Sequence, residues 1–181
     1  MVLYAIINAD NKFDHYLIKH MIPSATYQFS YLALFQDILL GMVGVILILV
    51  FHGITINALL MRFENMTAAN LVKKEYHHIF IRFYISFAFI ALIHIAEVLI
   101  WAIFVYYLNL INTAVGAILF AGSCYTTLGF VDDILPNGYK TLAFFIAFSG
   151  LFSLAWTTSI MIDMTSIYRQ TWKLWSQRHK A

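Results

Sequence analysis

Three long apolar runs constrain the fold of this 181-residue chain more than any other feature. They extend roughly from Asp37 to Met61, from Ile79 to Leu108 and from Tyr139 to Ile167. Each is long enough to cross about 30 Å of hydrocarbon as a helix, with some tilt. The chain is 62% hydrophobic and only 11% charged, more apolar surface than a soluble domain can bury. The sequence therefore predicts an all-α membrane protein with three transmembrane helices.

A fourth apolar stretch, Thr113 to Tyr125, is too short to cross a membrane and can only enter and return. Asn112 or Thr113 can cap a short helix over this stretch. The C-terminal end of that helix would carry the negative end of its dipole toward the membrane centre, which favours a cation. We therefore predict a re-entrant helix between the second and third spans.

The residues that follow this helix have the chemistry of a cation filter. Threonine hydroxyls and backbone carbonyls can replace the water around an ion only where non-helical backbone lines a cavity. Gly129 can adopt a positive φ, and Asp132 and Asp133 would raise the cation concentration at an outer mouth. One such loop makes no closed pore, so the prediction requires several subunits, most simply four. The alternative is a loop that conducts nothing. Thr127 offers a hydroxyl and a carbonyl, and Leu128, Gly129 and Phe130 can offer carbonyls.

The positive charges predict an orientation for the chain. Basic residues concentrate in the segment after the first span and in the tail after the third, so both should be cytoplasmic and the N-terminus should lie outside. They are Arg62, Lys73, Lys74, Arg82, Arg169, Lys173, Arg178 and Lys180. The expected organisation is an outer segment 1–36, a first span 37–62, a cytoplasmic linker 63–78, a pore domain 79–167 and a basic tail 168–181.

The string Thr126-Thr127-Leu128-Gly129-Phe130-Val131-Asp132 resembles the pore module of the potassium-channel superfamily, whose filter reads Thr-Val-Gly-Tyr-Gly-Asp, or Thr-Thr-Leu-Gly-Tyr-Gly-Asp in small bacterial members. The resemblance implies that these seven residues form the filter. Over roughly residues 90 to 165, the chain is similar to small bacterial ion-channel proteins with an extra leading helix. The matching residues are His94-x-x-Glu97, Trp101-Ala102, Tyr125-Thr126-Thr127, Gly150 and Ala155-Trp156-Thr157-Thr158. The resemblance implies a homotetrameric channel of the bacterial inner membrane, with potassium or sodium as the permeant ion and a gate hinge at Gly150.

Two residues depart from the pattern of that family. Phe130 replaces tyrosine and removes a bracing hydroxyl. Val131 replaces the second filter glycine, and a β-branched residue resists the left-handed backbone that the family uses there. The outermost carbonyl ring is then lost or turned away. We therefore expect weaker discrimination between potassium and sodium.

Other polar residues lie within the predicted spans. His94 and Glu97 are one turn apart on one helix face, and we expect one of them to brace the filter through hydrogen bonds, together with Tyr125. A pH-sensing role is the alternative. Thr157 and Thr158 either line an inner cavity or bond to their own helix. Asp163 forms an acidic ring at the inner mouth or pairs with Arg169. Gly150 is a hinge or a close-packing point.

Two other functions compete with the channel. His52 and His94, at comparable depth, could bind haem b in a redox subunit. A membrane interaction protein with a closed pore is the third possibility. We find no catalytic set, so the sequence predicts no enzyme, no resident cofactor and no nucleic-acid binding, with lipids and further copies of the chain as partners.

Overall fold

The computed structural model of this protein describes residues 31–129, 135–136 and 139–178. Its regular structure is helical, and no strand occurs within those ranges. The prediction of an all-α protein is therefore confirmed. The helices are α1 (Tyr31–Lys73), α2 (Tyr76–Tyr107), α3 (Ala114–Tyr125) and α4 (Leu142–Arg178).

Three of these helices are long and apolar enough to cross a membrane, as the sequence predicted. They are α1, α2 and α4, with 43, 32 and 37 residues. At 1.5 Å per residue, even α2 is about 48 Å long, which exceeds the roughly 30 Å of a hydrocarbon core. Each helix must therefore project beyond the bilayer or tilt within it.

The segment 63–78, which the sequence analysis treats as a linker, is helical except for a short turn. α1 continues to Lys73, and Lys74, at φ 61°, turns the chain into α2. Phe63, Thr67 and Asn70 are buried at helical spacing, so this part of α1 keeps an inward face among its charges. Likewise, α4 continues through the basic tail as far as Arg178.

The 12-residue α3 is about 18 Å long and cannot cross a membrane. The side chain of Thr113 caps it by accepting a hydrogen bond from the backbone nitrogen of Gly116 at 3.2 Å. α3 packs against α2 and α4 through its apolar face. The buried residues of that face are Ala117, Phe120, Ala121, Cys124 and Tyr125.

The interior consists of two apolar clusters with a polar layer between them. One cluster gathers around Trp101 and α3, and the other around Ile56 and Met164. Along α1, His52 stands between Ile48 of the first cluster and Ile56 of the second. Polar groups buried between two apolar clusters need hydrogen-bond partners, and such groups often have a function.

The outer surface of the described helices is mostly apolar. Only 28% to 33% of the most hydrophobic window of each long helix is buried inside one copy of the chain. Large side chains such as Ile46, Leu92 and Leu151 are more than half exposed. Such a surface is stable only against lipid or against further copies.

Candidate functional site

A hydrogen-bonded circuit occupies the polar layer, with contributions from the four described helices, and it is buried except at His94, whose side chain is 16% exposed. α1 supplies His52, α2 supplies His94 and Glu97, α3 supplies Tyr125 and α4 supplies Thr157. We call these five side chains the polar ring. Because i and i+3 positions share a helix face, His94 and Glu97 both point into it.

Glu97 and His52 are the two fully buried members of the polar ring. Oε1 of Glu97 lies 2.6 Å from Nδ1 of His52, and neither side chain is exposed at all. Oε2 of Glu97 accepts a hydrogen bond from the hydroxyl of Tyr125. Both carboxylate oxygens are therefore satisfied, as burial of such a group in hydrocarbon requires.

The other side of the polar ring runs through His94 and Thr157. Nδ1 of His94 lies 2.8 Å from the Tyr125 hydroxyl, and its Nε2 lies 3.1 Å from Oγ1 of Thr157. The same Oγ1 lies 3.4 Å from Nε2 of His52, the longest contact of the set. The contacts thus return to their starting residue and close a circuit.

The polar ring holds the C-terminal end of α3 from behind. Tyr125 is the last residue of that helix, and its hydroxyl reaches both Glu97 and His94. Its backbone carbonyl lies against Gly150 of α4, where an added Cβ would collide with the carbonyl oxygen. Tyr125 is therefore fixed at both its side chain and its backbone.

The chain leaves α3 through a left-handed turn. Thr127 has φ 57°, its backbone nitrogen donates to the carbonyl of Cys124 at 2.9 Å, and Leu128 donates to that of Ser123 at 3.0 Å. This is the Schellman arrangement, in which glycine is the usual left-handed residue. A β-branched threonine there is strained by about 1–3 kcal/mol. Gly129 follows with φ 89°.

The first four predicted filter residues are exposed on the surface of a single copy. The hydroxyl of Thr126 donates back to the carbonyl of Gly122 at 2.7 Å, while no atom of the described residues lies within 4 Å of a Cβ built on Gly129. The rest of the predicted filter and the outer mouth lie outside the described residues, namely Phe130, Val131, Asp132 and Asp133.

The predicted inner residues separate into two groups. Thr157 is buried and lies within hydrogen-bond distance of both histidines, so its side chain points into the polar ring of the same copy. Thr158 and Asp163 are exposed, and the Thr158 hydroxyl back-bonds to the carbonyl of Leu154 at 2.8 Å. Gly150 lies within an unbroken α4 and serves there as a close-packing point.

Sequence reasoning placed His52 at the depth of His94, but it did not identify Glu97 as its partner. Its partner Glu97 is 45 residues away and on another helix, so no local spacing signals the contact. The one available signal was the presence of ionisable residues in two apolar helices, because such groups are expected to find each other.

A metal ion has suitable ligand types here but not a suitable spacing. Ligand atoms of His52, His94 and Glu97 lie within 4.8 Å of one another. Tetrahedral zinc with bonds of about 2.0–2.1 Å separates its ligands by about 3.3 Å. The observed His52–Glu97 distance of 2.6 Å is instead that of a hydrogen bond.

The observed hydrogen bonds leave neither histidine free to bind haem b. The ring centroids of His52 and His94 lie 5.6 Å apart, and both nitrogens of each ring have partners within the polar ring. Axial ligation would require both histidines to release a partner and a porphyrin to enter the polar layer between the two apolar clusters.

Comparison of the chain with protein-family models, with curated proteins and with solved structures finds no match in any of the three. The resemblance to pore-loop channels accordingly stands on the quoted residues alone.

Proposed function

We propose that this protein is a cation channel in which four copies surround one pore for monovalent ions. The observation that carries the proposal is the C-terminal end of α3. The last residues of this short helix are buried. The chain then continues through Thr126 to Gly129 as exposed, non-helical backbone that contains two residues with positive φ. Backbone of this kind at membrane depth is tolerated where it lines a polar cavity.

The direction of α3 supports a cation as the ligand. Its C-terminal end, at Tyr125, carries a partial negative charge from the aligned peptide dipoles. The carbonyls and hydroxyls that follow are hard oxygen ligands of the kind that replace the water around potassium or sodium. In this proposal, the filter extends from Thr126 to Asp132.

The apolar outer surface supports assembly into an oligomer. About two thirds of the most hydrophobic window of each long helix is uncovered in one copy. A closed cyclic arrangement would cover part of that surface and bring the α3 ends to a common axis. Four copies is the number that the resemblance implies.

The ion preference is expected to be broad. Val131 stands where the related filters have a glycine, and a β-branched side chain disfavours the left-handed backbone at that position. With one carbonyl ring fewer, potassium is distinguished less well from sodium. In the same proposal, the basic ends of α1 and α4 face the cytoplasm, the N-terminus lies outside and the membrane is a bacterial inner membrane.

The test is cation flux through liposomes that contain the purified full chain. We expect potassium, sodium and caesium each to pass, and Gly129→Ala to reduce their flux at least tenfold. At φ 89°, alanine is strained by about 1–2 kcal/mol in every subunit, although there is space for its Cβ.

The matched control for this experiment is Gly122→Ala, which adds the same methyl group one turn before the end of α3. That methyl would meet only Cγ1 of Val98, at an ordinary 3.6 Å. We expect Gly122→Ala to conduct like the wild type. If wild-type vesicles are as tight to all three cations as protein-free vesicles, the channel proposal is wrong and a non-conducting membrane protein remains.

A further inference from the structure

A groove lies on the surface of α4 near its C-terminal end, and we call it the α4 groove. The described residues that line it are Tyr168, Arg169, Trp172 and Lys173, and its volume is about 330 Å³. That volume is at the lower end of the range for small-molecule sites. Arg169 and Lys173 are four residues apart, so their side chains share one face of the helix, beside the two aromatic rings. The α4 groove therefore combines two positive charges with an apolar wall.

The apolar wall is built from aromatic rings of two helices. The rings of Tyr168 and Trp172 are nearly parallel, with an interplanar angle of 13° and centroids 6.5 Å apart. Phe80 of α2 supports both rings, with centroid distances of 5.1 Å to Tyr168 and 5.4 Å to Trp172. Trp172 nevertheless remains 47% exposed. A large apolar ring is thus held in place while about half of its surface is left uncovered.

The two positive charges have no negative partner in the described part of the chain. Both ion pairs found there involve Glu97, which belongs to the polar ring. Arg169 and Lys173 are exposed. The acid before them on α4, Asp163, precedes Arg169 by about one and two-thirds helical turns, so it points to a different side of the helix. Two neighbouring cations of this kind can both donate hydrogen bonds to one phosphate group.

The level of the α4 groove along the helices matches the headgroup layer of a membrane. On α2, the exposed side chains of Tyr84 and Tyr107 lie about 34 Å apart along the axis, close to the thickness of a hydrocarbon core. Tyrosine is enriched at the two membrane interfaces. The ring of Tyr168 lies 4.6 Å from that of Phe83, next to Tyr84, so it stands at one of these interfaces. The rest of the α4 groove lies up to about one turn further out, where lipid phosphates are found.

We propose that the α4 groove binds an anionic phospholipid. The phosphate lies between Arg169 and Lys173, and the glycerol and the first part of the acyl chains lie against the rings of Trp172 and Tyr168. A free phosphate would use the charges but not the wall, and an uncharged apolar molecule would use the wall but not the charges. A lipid uses both, and it is already present at this depth. The proposal requires a membrane-embedded chain but not a conducting one, so it goes beyond the channel function.

Lipid binding to the purified full chain, counted by native mass spectrometry, tests the charged half of the α4 groove. Phosphatidylglycerol is the anionic probe, and phosphatidylcholine, whose headgroup has no net charge, is its control. Arg169→Gln with Lys173→Gln removes both charges and keeps polar side chains. The matched control is Lys73→Gln with Arg178→Gln, which removes two exposed charges outside the α4 groove.

We expect the wild type and the matched control to bind about one phosphatidylglycerol per copy, and Arg169→Gln with Lys173→Gln to bind it about tenfold more weakly. Trp172→Ala tests the wall and should also weaken binding about tenfold, because the acyl chain loses its contact. Its control is Leu174→Ala, since Leu174 is 49% exposed on the same helix but does not line the α4 groove. Leu174→Ala should bind like the wild type.

Several outcomes would overturn the proposal. If the two double variants lose the same affinity, binding follows net charge alone. If phosphatidylcholine binds as tightly, or if Trp172→Ala binds like the wild type, one half of the α4 groove is not used. Displacement of the lipid by an equal concentration of inorganic phosphate would show an anion site without a lipid. A changed number of copies in Arg169→Gln with Lys173→Gln, with unchanged lipid binding, would assign the α4 groove to a contact between copies. Lipid counting needs no conduction, so cation flux decides the channel separately.

Discussion

At the scale of single residues, two energetically unfavourable features lie next to Tyr125, the last residue of α3. Thr127 is β-branched yet left-handed at φ 57°, and Glu97 is a fully buried carboxyl group. Strain and buried ionisable groups persist where the surroundings hold them in place, and they cluster at functional sites. Both lie within a few residues of Tyr125 in space, which indicates that the end of α3 was shaped for more than packing.

Replacing Thr127 should separate stability from function. Thr127→Gly removes the strain of the left-handed backbone, so we expect the free energy of unfolding to rise by about 1 kcal/mol. The same change removes a hydroxyl from the proposed filter, so cation flux should fall. Thermal unfolding in detergent and liposome flux measure the two effects. A variant that is less stable than wild type would contradict the strain argument.

At the scale of elements, α3 is a short helix fixed at both ends. Thr113 caps its start, and the polar ring with Gly150 fixes Tyr125 at its end. A further hydrogen bond joins α2 to α4, in which the Trp101 indole donates to the hydroxyl of Ser149 at 2.9 Å. These contacts fix the end of α3 relative to the long helices, as the proposed filter would require.

The contact between α3 and α4 gives a prediction at this scale. Gly150→Ala places a methyl against the backbone carbonyl of Tyr125, which cannot rotate away. We expect a loss of about 3 kcal/mol in stability or a displaced α3, and in either case loss of flux. A lower unfolding temperature than in Gly122→Ala would be the readout. If Gly150→Ala conducts and unfolds like wild type, the claim that Gly150 packs against the carbonyl of Tyr125 is wrong.

The elements also show how far the sequence could predict the fold. The three spans and the short α3 follow from run length and capping, which are local properties of the chain. The continuation of α1 beyond the first span was not predicted. Its buried residues are few and stand among charged ones such as Arg62, Lys73 and Lys74. The polar ring could not be derived, because its closure depends on the rotation of four helices about their axes. Thr157 shows this: its residue type fits a cavity equally well, and only the packing of α4 turns it inward.

At the scale of the whole molecule, one copy of the chain is incomplete as a membrane protein. Its long helices leave most of their apolar surface uncovered, and the residues that follow α3, Thr126 to Gly129, are exposed on the surface of the copy. In the channel that we propose, a cyclic assembly would both cover the helices and supply a ring of oxygen ligands. The site within each copy would then support a pore that exists only between copies.

The most direct test of this account is an experimental density map of the full chain in lipid, recorded with potassium or caesium present. We predict a symmetric assembly in which the α3 ends converge, with ion density on the axis between the Thr126–Gly129 segments. An assembly in which these segments lie apart or face lipid would contradict the account, as would an axis filled by side chains in every state.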